Sequence, residues 1–236
     1  MNKKILTIIV SLMFALSSSL ANAGSFSIGV TGGLADVSAS GTETTNAGDS
    51  GTANTNTTSV DNDNVPIASI FAEYQSDYWG LTLGLEHIPG DADVSDSAKF
   101  RNDTETSVTG DVTKNSDARQ FKANASVENY NLLYAEIPVY GSLFLGAGMS
   151  EMDVITNEVK TSNGGNYGNA VIDGTMFRLG FKGPMGDNSS YKLFYEMNDF
   201  DTLKLTSTGN SVADETNTIS ADLDVDMLKF AISYNF

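Results

Sequence analysis

The chain contains no cysteine among its 236 residues, and it has only one histidine and one tryptophan. The lack of cysteine excludes a disulfide framework, a thiolate metal site and a lipid-modified cysteine at a processed amino terminus. No segment approaches the roughly 20 consecutive apolar residues that a membrane-spanning helix requires. A chain exported without disulfides needs another source of stability, and a closed sheet in which every strand edge is paired supplies one.

Basic residues are scarce: 13 Lys and Arg stand against 30 Asp and Glu, for a formal net charge of −17. A surface of this charge repels phosphate backbones, so nucleic acid is excluded as a partner. It is compatible with surfaces rich in divalent cations.

The amino terminus has the pattern of a cleaved signal peptide. Lys3 and Lys4 precede an apolar run over residues 5–16, and Ala21 and Ala23 form the small-x-small pattern at which signal peptidase cuts. We therefore predict a signal peptide over residues 1–23 and one exported domain over residues 24–236.

The last ten residues predict a β-strand. Leu228, Phe230, Ile232, Tyr234 and Phe236 share one face, and the opposite face carries polar or small residues. No segment of the exported part has helical periodicity to cover the apolar face. We interpret this strand as the closing strand of a membrane barrel, with lipid on its apolar face.

Seven further alternating segments precede it, and polar spacers separate them. The predicted strands cover about 25–36, 65–75, 79–88, 130–139, 143–154, 175–183 and 191–205, followed by the final strand. The spacers alternate between three short turns and four long loops, among them residues 38–64 and 89–127. This arrangement is typical of an eight-stranded antiparallel up-and-down transmembrane β-barrel with long extracellular loops.

Together with the leader, the alternating strands and the terminal sequence Ser233-Tyr234-Asn235-Phe236 resemble the small outer-membrane β-barrel family that includes OmpX and the transmembrane domain of OmpA. The resemblance implies location in the cell outer membrane. It also implies that Tyr234 and Phe236 form the signal read by the barrel-assembly machinery. We expect no counterpart of the periplasmic domain of OmpA, because the sequence stops at the predicted barrel.

The inward phase of the predicted strands carries equal numbers of acids and bases. An unpaired ion in such an interior costs several kcal/mol, so we expect these residues to pair as an interior network. The predicted members are Glu73, Glu86, Glu136, Arg178, Lys182, Lys192, Glu196 and Lys229. The phase of the fourth strand stays open, because Tyr130, Leu132 and Tyr134 compete with Leu133, Ala135 and Ile137 for the lipid face. Glu136 depends on that phase.

A second group of charges, all acidic, is expected at the extracellular rim. Its members are Asp36, Asp199, Asp201, Asp222, Asp224 and Asp226. A hairpin register that pairs Asp199 with Asp226 also pairs Asp201 with Asp224, and closure brings Asp36 near Asp226. Two hypotheses apply: a solvated acidic collar, or a rim that binds divalent cations shared with lipopolysaccharide phosphates.

Catalysis has little support in the sequence. His87 is the single histidine, and no serine or acid is tied to it by a recognised motif; an interfacial role fits it better. No phosphate-binding loop, nucleophile elbow, zinc motif or other cofactor signature occurs, so we expect neither enzyme activity nor a cofactor.

Two functions remain for a protein of this kind. The first is a non-catalytic structural or cell-surface role, in which the loops face other surface proteins, antibodies or phage. The alternative is a low-conductance, porin-like channel for small solutes, gated by the interior ion pairs.

Overall fold

The computed structural model describes residues 24–45, 54–77, 79–94, 99–109, 112–160, 166–208 and 217–236. Side-chain positions are described for these residues except at 45, 54, 56, 99–109, 112–124 and 158–160. The signal peptide predicted for residues 1–23 lies outside the described residues, so its cleavage after Ala23 stays a prediction.

The described chain is built of strands. They are β1 (Gly24–Thr45), β2 (Asn54–Ser76), β3 (Thr82–Asp93), β4 (Lys99–Thr109), β5 (Val112–Tyr140), β6 (Leu143–Lys160), β7 (Ala170–Pro184), β8 (Ser189–Phe200), β9 (Leu203–Thr206) and β10 (Asn217–Asn235). No helix long and apolar enough to span a membrane occurs in the described residues.

Eight of the strands form a closed antiparallel ring. The order is β1-β2-β3-β5-β6-β7-β8-β10, and β10 pairs back onto β1 from Ser27 opposite Asn235 to Thr45 opposite Asn217. β4 adds to β5, and β9 adds to the upper part of β10. The structure therefore confirms the predicted fold class, an eight-stranded antiparallel barrel.

The strands are longer than the sequence predicted. β1 and β2 stay paired up to Thr45 opposite Asn54, inside the span predicted as a polar loop, and β3, β4 and β5 pair inside residues 89–127. Threonine favours strands, and Ala39 and Val60 in this span pack against an apolar core. That core was not expected from a composition so rich in Ser, Thr and Asn.

Two strand limits differ from the prediction. Trp79 does not begin a strand: it lies in the turn between β2 and β3 with a φ of 63°, and β3 starts at Thr82. The strand predicted over residues 191–205 is divided at Asp201 and Thr202 into β8 and β9. Gly80, also at positive φ (64°), follows Trp79 and completes this tight turn.

The barrel has two zones with opposite polarity. In the lower zone, which holds Gly24, Phe236 and the three short turns, outward residues such as Ile28, Val30 and Phe230 are apolar, and the inward ones are charged, polar or aromatic, with Ala231 among them. In the upper zone, which begins at Asp36 and Asp226, inward Val37 and Val225 are buried and the outward residues are acidic or polar. The lower zone thus has the pattern of a barrel in lipid, and the upper zone that of a barrel in water.

Candidate functional site: the charged interior of the lower zone

The inward side chains of the lower zone form one connected network of acids and bases. All eight residues of the predicted interior network belong to it. Their strands alternate inward and outward positions, so each charge faces the barrel axis while its two chain neighbours face outward. Four carboxylates meet four cationic groups, and the network is formally neutral.

The upper layer of the network centres on Arg178 and Lys229. Arg178 Nη2 donates to Glu86 Oε2 at 3.2 Å and contacts Glu196 Oε2 at 2.8 Å. Lys229 Nζ donates to Glu86 Oε1 and Glu196 Oε1, each at 2.9 Å. Both cations therefore bridge the same two carboxylates, and all four side chains are at most 1% exposed. A buried ion with several charged hydrogen-bond partners is fixed in position more firmly than an ion in an exposed surface pair.

The lower layer centres on Glu136. Its Oε2 accepts a hydrogen bond from Lys192 Nζ at 2.7 Å and lies 3.8 Å from Lys182 Nζ. Lys192 also pairs with Glu73. The other oxygen of Glu136 accepts from Arg178 Nη1 at 3.1 Å, and this contact joins the two layers.

Hydroxyl groups complete the network. Tyr134 donates to Glu73 Oε1 at 2.6 Å, Tyr130 to Glu196 Oε1 at 3.1 Å and Ser69 to Glu86 Oε1 at 2.7 Å. The Tyr130 hydroxyl also donates to Asn198 Oδ1 at 2.6 Å. Sequence reasoning did not assign the two tyrosines to the network, because a tyrosine suits the lipid interface as well as a polar interior.

Strand β5 settles the open question of phase. Tyr130, Leu132, Tyr134 and Glu136 face inward and are buried, whereas Ile137 faces outward and is 51% exposed. Glu136, whose place depended on this phase, is fully buried and contacts three cations.

Aromatic rings occupy the space between the charges. The Arg178 guanidinium lies 3.9 Å from the centroid of Tyr134 and 4.8 Å from that of Phe194, both within cation–π range. Phe71, Phe144, Phe194 and Ala231 form a buried apolar cluster at this level. Gly84 faces Tyr134, where a β-carbon would collide with the ring, so the glycine makes room for the aromatic side chain. Bulky side chains thus fill the lower interior.

The six rim carboxylates, which we call the acidic collar, lie on the outside of the upper zone. Asp36 lies opposite Asp226 in the β1–β10 ladder. The predicted hairpin register is wrong by two residues, because Asp199 pairs with Asp224 and Asp226 pairs with Met197. The break of β8 at Phe200 removes Asp201 from the ladder that the prediction had extended through it.

Several collar carboxylates have partners within the protein. The Asn64 backbone N–H donates to Asp36 Oδ1 at 2.7 Å, and the Thr202 hydroxyl donates to Asp222 Oδ1 at 2.7 Å. The Asp226 carboxylate lies within electrostatic reach of the Tyr195 hydroxyl. No group of three or more acidic or histidine side chains in the described residues is arranged to hold a metal ion.

Asp224 is the collar residue with a shifted titration. Partial desolvation raises the pKa of Asp224, and the negative charges of Asp199, Asp226 and Asp222 raise it further. Like charges on neighbouring strands oppose ionisation and weaken the pairing between those strands.

His87 makes a structural contact. Its Nδ1 lies 3.0 Å from Asn131 Oδ1 on the adjacent strand β5, near the upper end of the apolar outer surface. The hydrogen bonds of the described residues tie no serine hydroxyl or carboxylate to this ring. The interfacial role of His87 stays a prediction.

The carboxyl terminus contributes to an aromatic cluster at the lower rim. The Phe236 ring lies 6.0 Å from Phe26 and 5.1 Å from Tyr234, and the Phe236 N–H donates to the Phe26 carbonyl at 2.8 Å. Phe236 is 72% exposed, so its ring is accessible at the seam where β10 closes on β1.

Comparison with known proteins finds similarity in structure only. No protein-family model matches the sequence, and no curated protein matches it. Among solved structures, OprG of Pseudomonas aeruginosa has 13% sequence identity and a TM-score of 0.48, covering 89% of this chain and 97% of that one. Ail of Yersinia pestis, solved with the heparin analogue sucrose octasulfate, has 10% identity and a TM-score of 0.43, covering 90% and 99%.

The outer membrane protease OmpT of Escherichia coli is also similar, with 8% identity, a TM-score of 0.45 and coverage of 90% and 97%. At sequence identities this low, structural similarity indicates a shared fold and nothing about function. The geometry of the chain itself supplies the stronger argument. The strands form a closed ring, its lower outer surface is apolar, and its interior is charged. This distribution of polarity fits a barrel that is surrounded by lipid. The protein is a transmembrane β-barrel of the outer-membrane type.

Proposed function

We propose that this protein is a closed, non-catalytic barrel of the outer membrane with a structural or cell-surface interaction role. The observation that carries the proposal is the neutral ion-pair network, whose eight side chains and surrounding aromatic rings fill the lower interior. A solute crossing this level would have to separate ion pairs whose side chains are buried, which is costly.

The upper zone supports the same proposal. Inward side chains there form a buried apolar core that includes Val37, Phe200, Leu223 and Val225. An apolar core above a charged plug gives the barrel two successive barriers of different chemistry. The extended upper strands then act as a rigid support for the surface loops, which would face other surface proteins, antibodies or phage.

The alternative function is a low-conductance channel gated by the ion pairs. The observation that favours it is the position of Lys182, whose side chain is 20% exposed and lies 3.8 Å from Glu136, the longest contact in the network. Lys182 Nζ also donates to Thr82 Oγ1 at 3.3 Å. A cation with weak, exchangeable partners at the lower mouth is the group most able to move aside.

Single-channel recording in planar bilayers distinguishes the two functions. We expect silence from the wild-type barrel and from Lys182→Ala and Lys229→Ala, with folding verified by the shift in gel mobility on boiling. Discrete conductance steps in the wild type that change size or open probability in either variant would overturn the closed-barrel proposal and support the gated channel.

The proposed partners follow from the surface. Lipid covers the lower outer face, and the barrel-assembly machinery would read Tyr234 and Phe236. Deleting Phe236 should reduce membrane insertion in cells while leaving refolding of purified protein into detergent largely intact. Normal insertion of the deletion variant would contradict the assembly role.

Lipopolysaccharide is a proposed partner of the collar through divalent cations, because collar carboxylates and lipid phosphates repel one another directly. If thermal stability in lipopolysaccharide-containing vesicles is unchanged by adding magnesium or calcium, this part of the proposal fails. A polysulfated ligand such as the one bound to Ail is disfavoured here, since the chain carries a net charge of −17.

A further inference from the structure

The hydrogen-bonded ladder between β2 and β3 does not extend into the upper part of the barrel wall. β2 pairs with β3 only from Ile70 opposite His87 down to Gln75 opposite Thr82. Above this point both strands continue, β2 up to Asn54 and β3 up to Asp93, but each pairs only with its other neighbour among the described residues. Two strand edges without ladder partners therefore adjoin one another, bridged at Asp93, whose carbonyl accepts from Asn62. We call the region between these edges the β2–β3 cleft.

Two prolines explain why the ladder stops. If the register continued, Ala68 would lie opposite Pro89 and Pro66 opposite Asp91. Proline has no N–H to donate, and Gly90, with a φ of 103°, turns the chain of β3 away beside Pro89. The register of β3 with β5 also shifts between Ile88 and Asp91. The sequence itself thus prevents closure of this edge.

The cleft begins within the apolar outer surface. Ile70, the last paired residue of β2, is 57% exposed, and Pro66, four residues higher, still lies opposite outward-facing Leu34. Unpaired backbone groups at this depth are unfavourable in hydrocarbon unless another polar group reaches them. An occupant of the cleft must therefore combine apolar chains with polar groups located at the top of those chains.

The walls and the upper end of the cleft have distinct chemistry. Val65, Ile67 and Ile88 are half-buried and pack against the apolar core of the upper zone. At the top, the Asn62 side chain donates to the Asp93 carbonyl at 2.6 Å and bridges the two strands. Asp61, Asp63 and Asp91 are exposed close by, and neither β2 nor β3 contains Lys or Arg.

We propose that the β2–β3 cleft binds one phospholipid with a primary-amine headgroup. The cleft is continuous with the lipid-facing surface, so an acyl chain reaches it without leaving the membrane. The ester groups at the head of the chains lie where the unpaired N–H groups of the strand edges need acceptors. The ammonium group meets Asp61, Asp63 and Asp91, whereas a purely anionic lipid is repelled by them.

Native mass spectrometry of the folded barrel tests the proposal. The protein is reconstituted in vesicles of equal parts phosphatidylethanolamine and phosphatidylglycerol, extracted in mild detergent and analysed for retained lipid. We expect one retained lipid per barrel, with phosphatidylethanolamine favoured at least tenfold over phosphatidylglycerol. A barrel that retains no lipid, or retains mainly phosphatidylglycerol, would overturn the proposal, as would preferential retention of lipid A when lipid A is supplied.

Two double proline variants test whether the retained lipid binds at the β2–β3 cleft. Pro66→Thr combined with Pro89→Thr allows the β2–β3 ladder to continue past Ile70 and His87. Because the continued ladder closes the cleft, the double variant should lower lipid retention at least tenfold. Pro138→Thr combined with Pro184→Thr makes the same chemical change at the opposite end of the barrel and should leave retention unchanged. Equal retention in both double variants would place the lipid elsewhere and refute the site. The headgroup preference of the wild type remains an independent test if the cleft variant does not fold.

Discussion

The lower and upper zones of this barrel are built from the same strands but have opposite polarity. On β10, outward Leu228, Phe230 and Ile232 give way to outward Asp226, Asp224 and Asp222, while the inward series changes from Lys229 to Met227 and Val225. The alternation of side chains does not break at this point. What changes is the medium outside the barrel, from lipid below to water above. The interior changes the other way, from charged side chains below to apolar side chains above.

The difference in polarity between the two zones shows that a barrel wall can be stabilised in two ways. In the lower zone lipid surrounds an apolar surface, and the interior gains stability from ion pairs and hydrogen bonds with matched partners. In the upper zone the interior excludes water from apolar side chains, as in a soluble protein. The same substitution should therefore have opposite effects in the two zones, and the following predictions test this from the largest effect to the smallest.

Removal of one interior cation should have the largest effect. Lys229→Met leaves Glu86 and Glu196 with Arg178 as their shared cation, and breaking a buried ion pair in this way costs about 3–5 kcal/mol in the free energy of unfolding. Urea unfolding in lipid vesicles measures the loss. Lys204→Met on β9, where the side chain is exposed, is the matched control and should cost less than about 0.5 kcal/mol. A loss below about 1 kcal/mol for Lys229→Met would mean that the network relaxes around the gap.

A cation placed on the outer surface should distinguish lipid from water. Ile232→Lys puts a charge on the lipid-facing side of β10 and should cost about 2–4 kcal/mol if that position is near the middle of the bilayer. Thr218→Lys makes a comparable change on the exposed outer face of the same strand in the upper zone, opposite the uncharged Thr44 and Thr206, and should be nearly neutral. The two unfolding free energies can be compared directly in the same vesicles. Equal losses would contradict the placement of the membrane boundary near Asp226.

Two isosteric exchanges test the interior of each zone. Val225→Thr buries a hydroxyl in the apolar upper core and should cost about 1–3 kcal/mol. Thr31→Val, in the lower zone, removes a buried hydroxyl that has no hydrogen-bond partner among the described residues, so it should be neutral or stabilise by up to about 1 kcal/mol. Unfolding midpoints at constant m-value report both changes. A stabilising Val225→Thr would show that the upper interior is wet.

Much of the lower zone could be predicted from the sequence because lipid enforces strict alternation. Seven of the eight charges of the network could be assigned inward from phase alone. Glu136 could not, because the phase of its strand was open in the sequence, and neither could the tyrosines of β5, since an amphipathic ring fits either side of the wall. The upper zone was interpreted as mostly loops. Its inward residues, including Ala39 and Val60, are few and interspersed with Ser, Thr and Asn, so their alternation resembles a polar linker until the closed ring shows that they pack on one core.

The pairing register of β8 with β10 at the acidic collar could not be predicted from the sequence either. Alternation identifies which residues of β8 and β10 point outward, but a shift of two residues keeps every side chain on the same face, so the pattern cannot distinguish the two registers. The observed pairing of Asp199 with Asp224 instead of Asp226 is such a shift.

The smallest predicted effect concerns this pair. The pKa of Asp224 is raised in the folded protein by partial desolvation and by its acidic neighbours, so the folded state binds a proton there more readily than the unfolded state does. The charged carboxylate consequently lowers stability at neutral pH, and this penalty is relieved as the pH falls through the raised pKa.

Asp224→Asn should therefore stabilise the barrel at pH 7, by less than about 0.5 kcal/mol because the group is exposed to solvent and screened. The difference from wild type should shrink toward acidic pH and with added salt. Ser220→Asn, on the same outward face and without a carboxylate, is the control and should show no such pH dependence; a stabilisation by Asp224→Asn that persists at low pH would exclude charge repulsion as its cause.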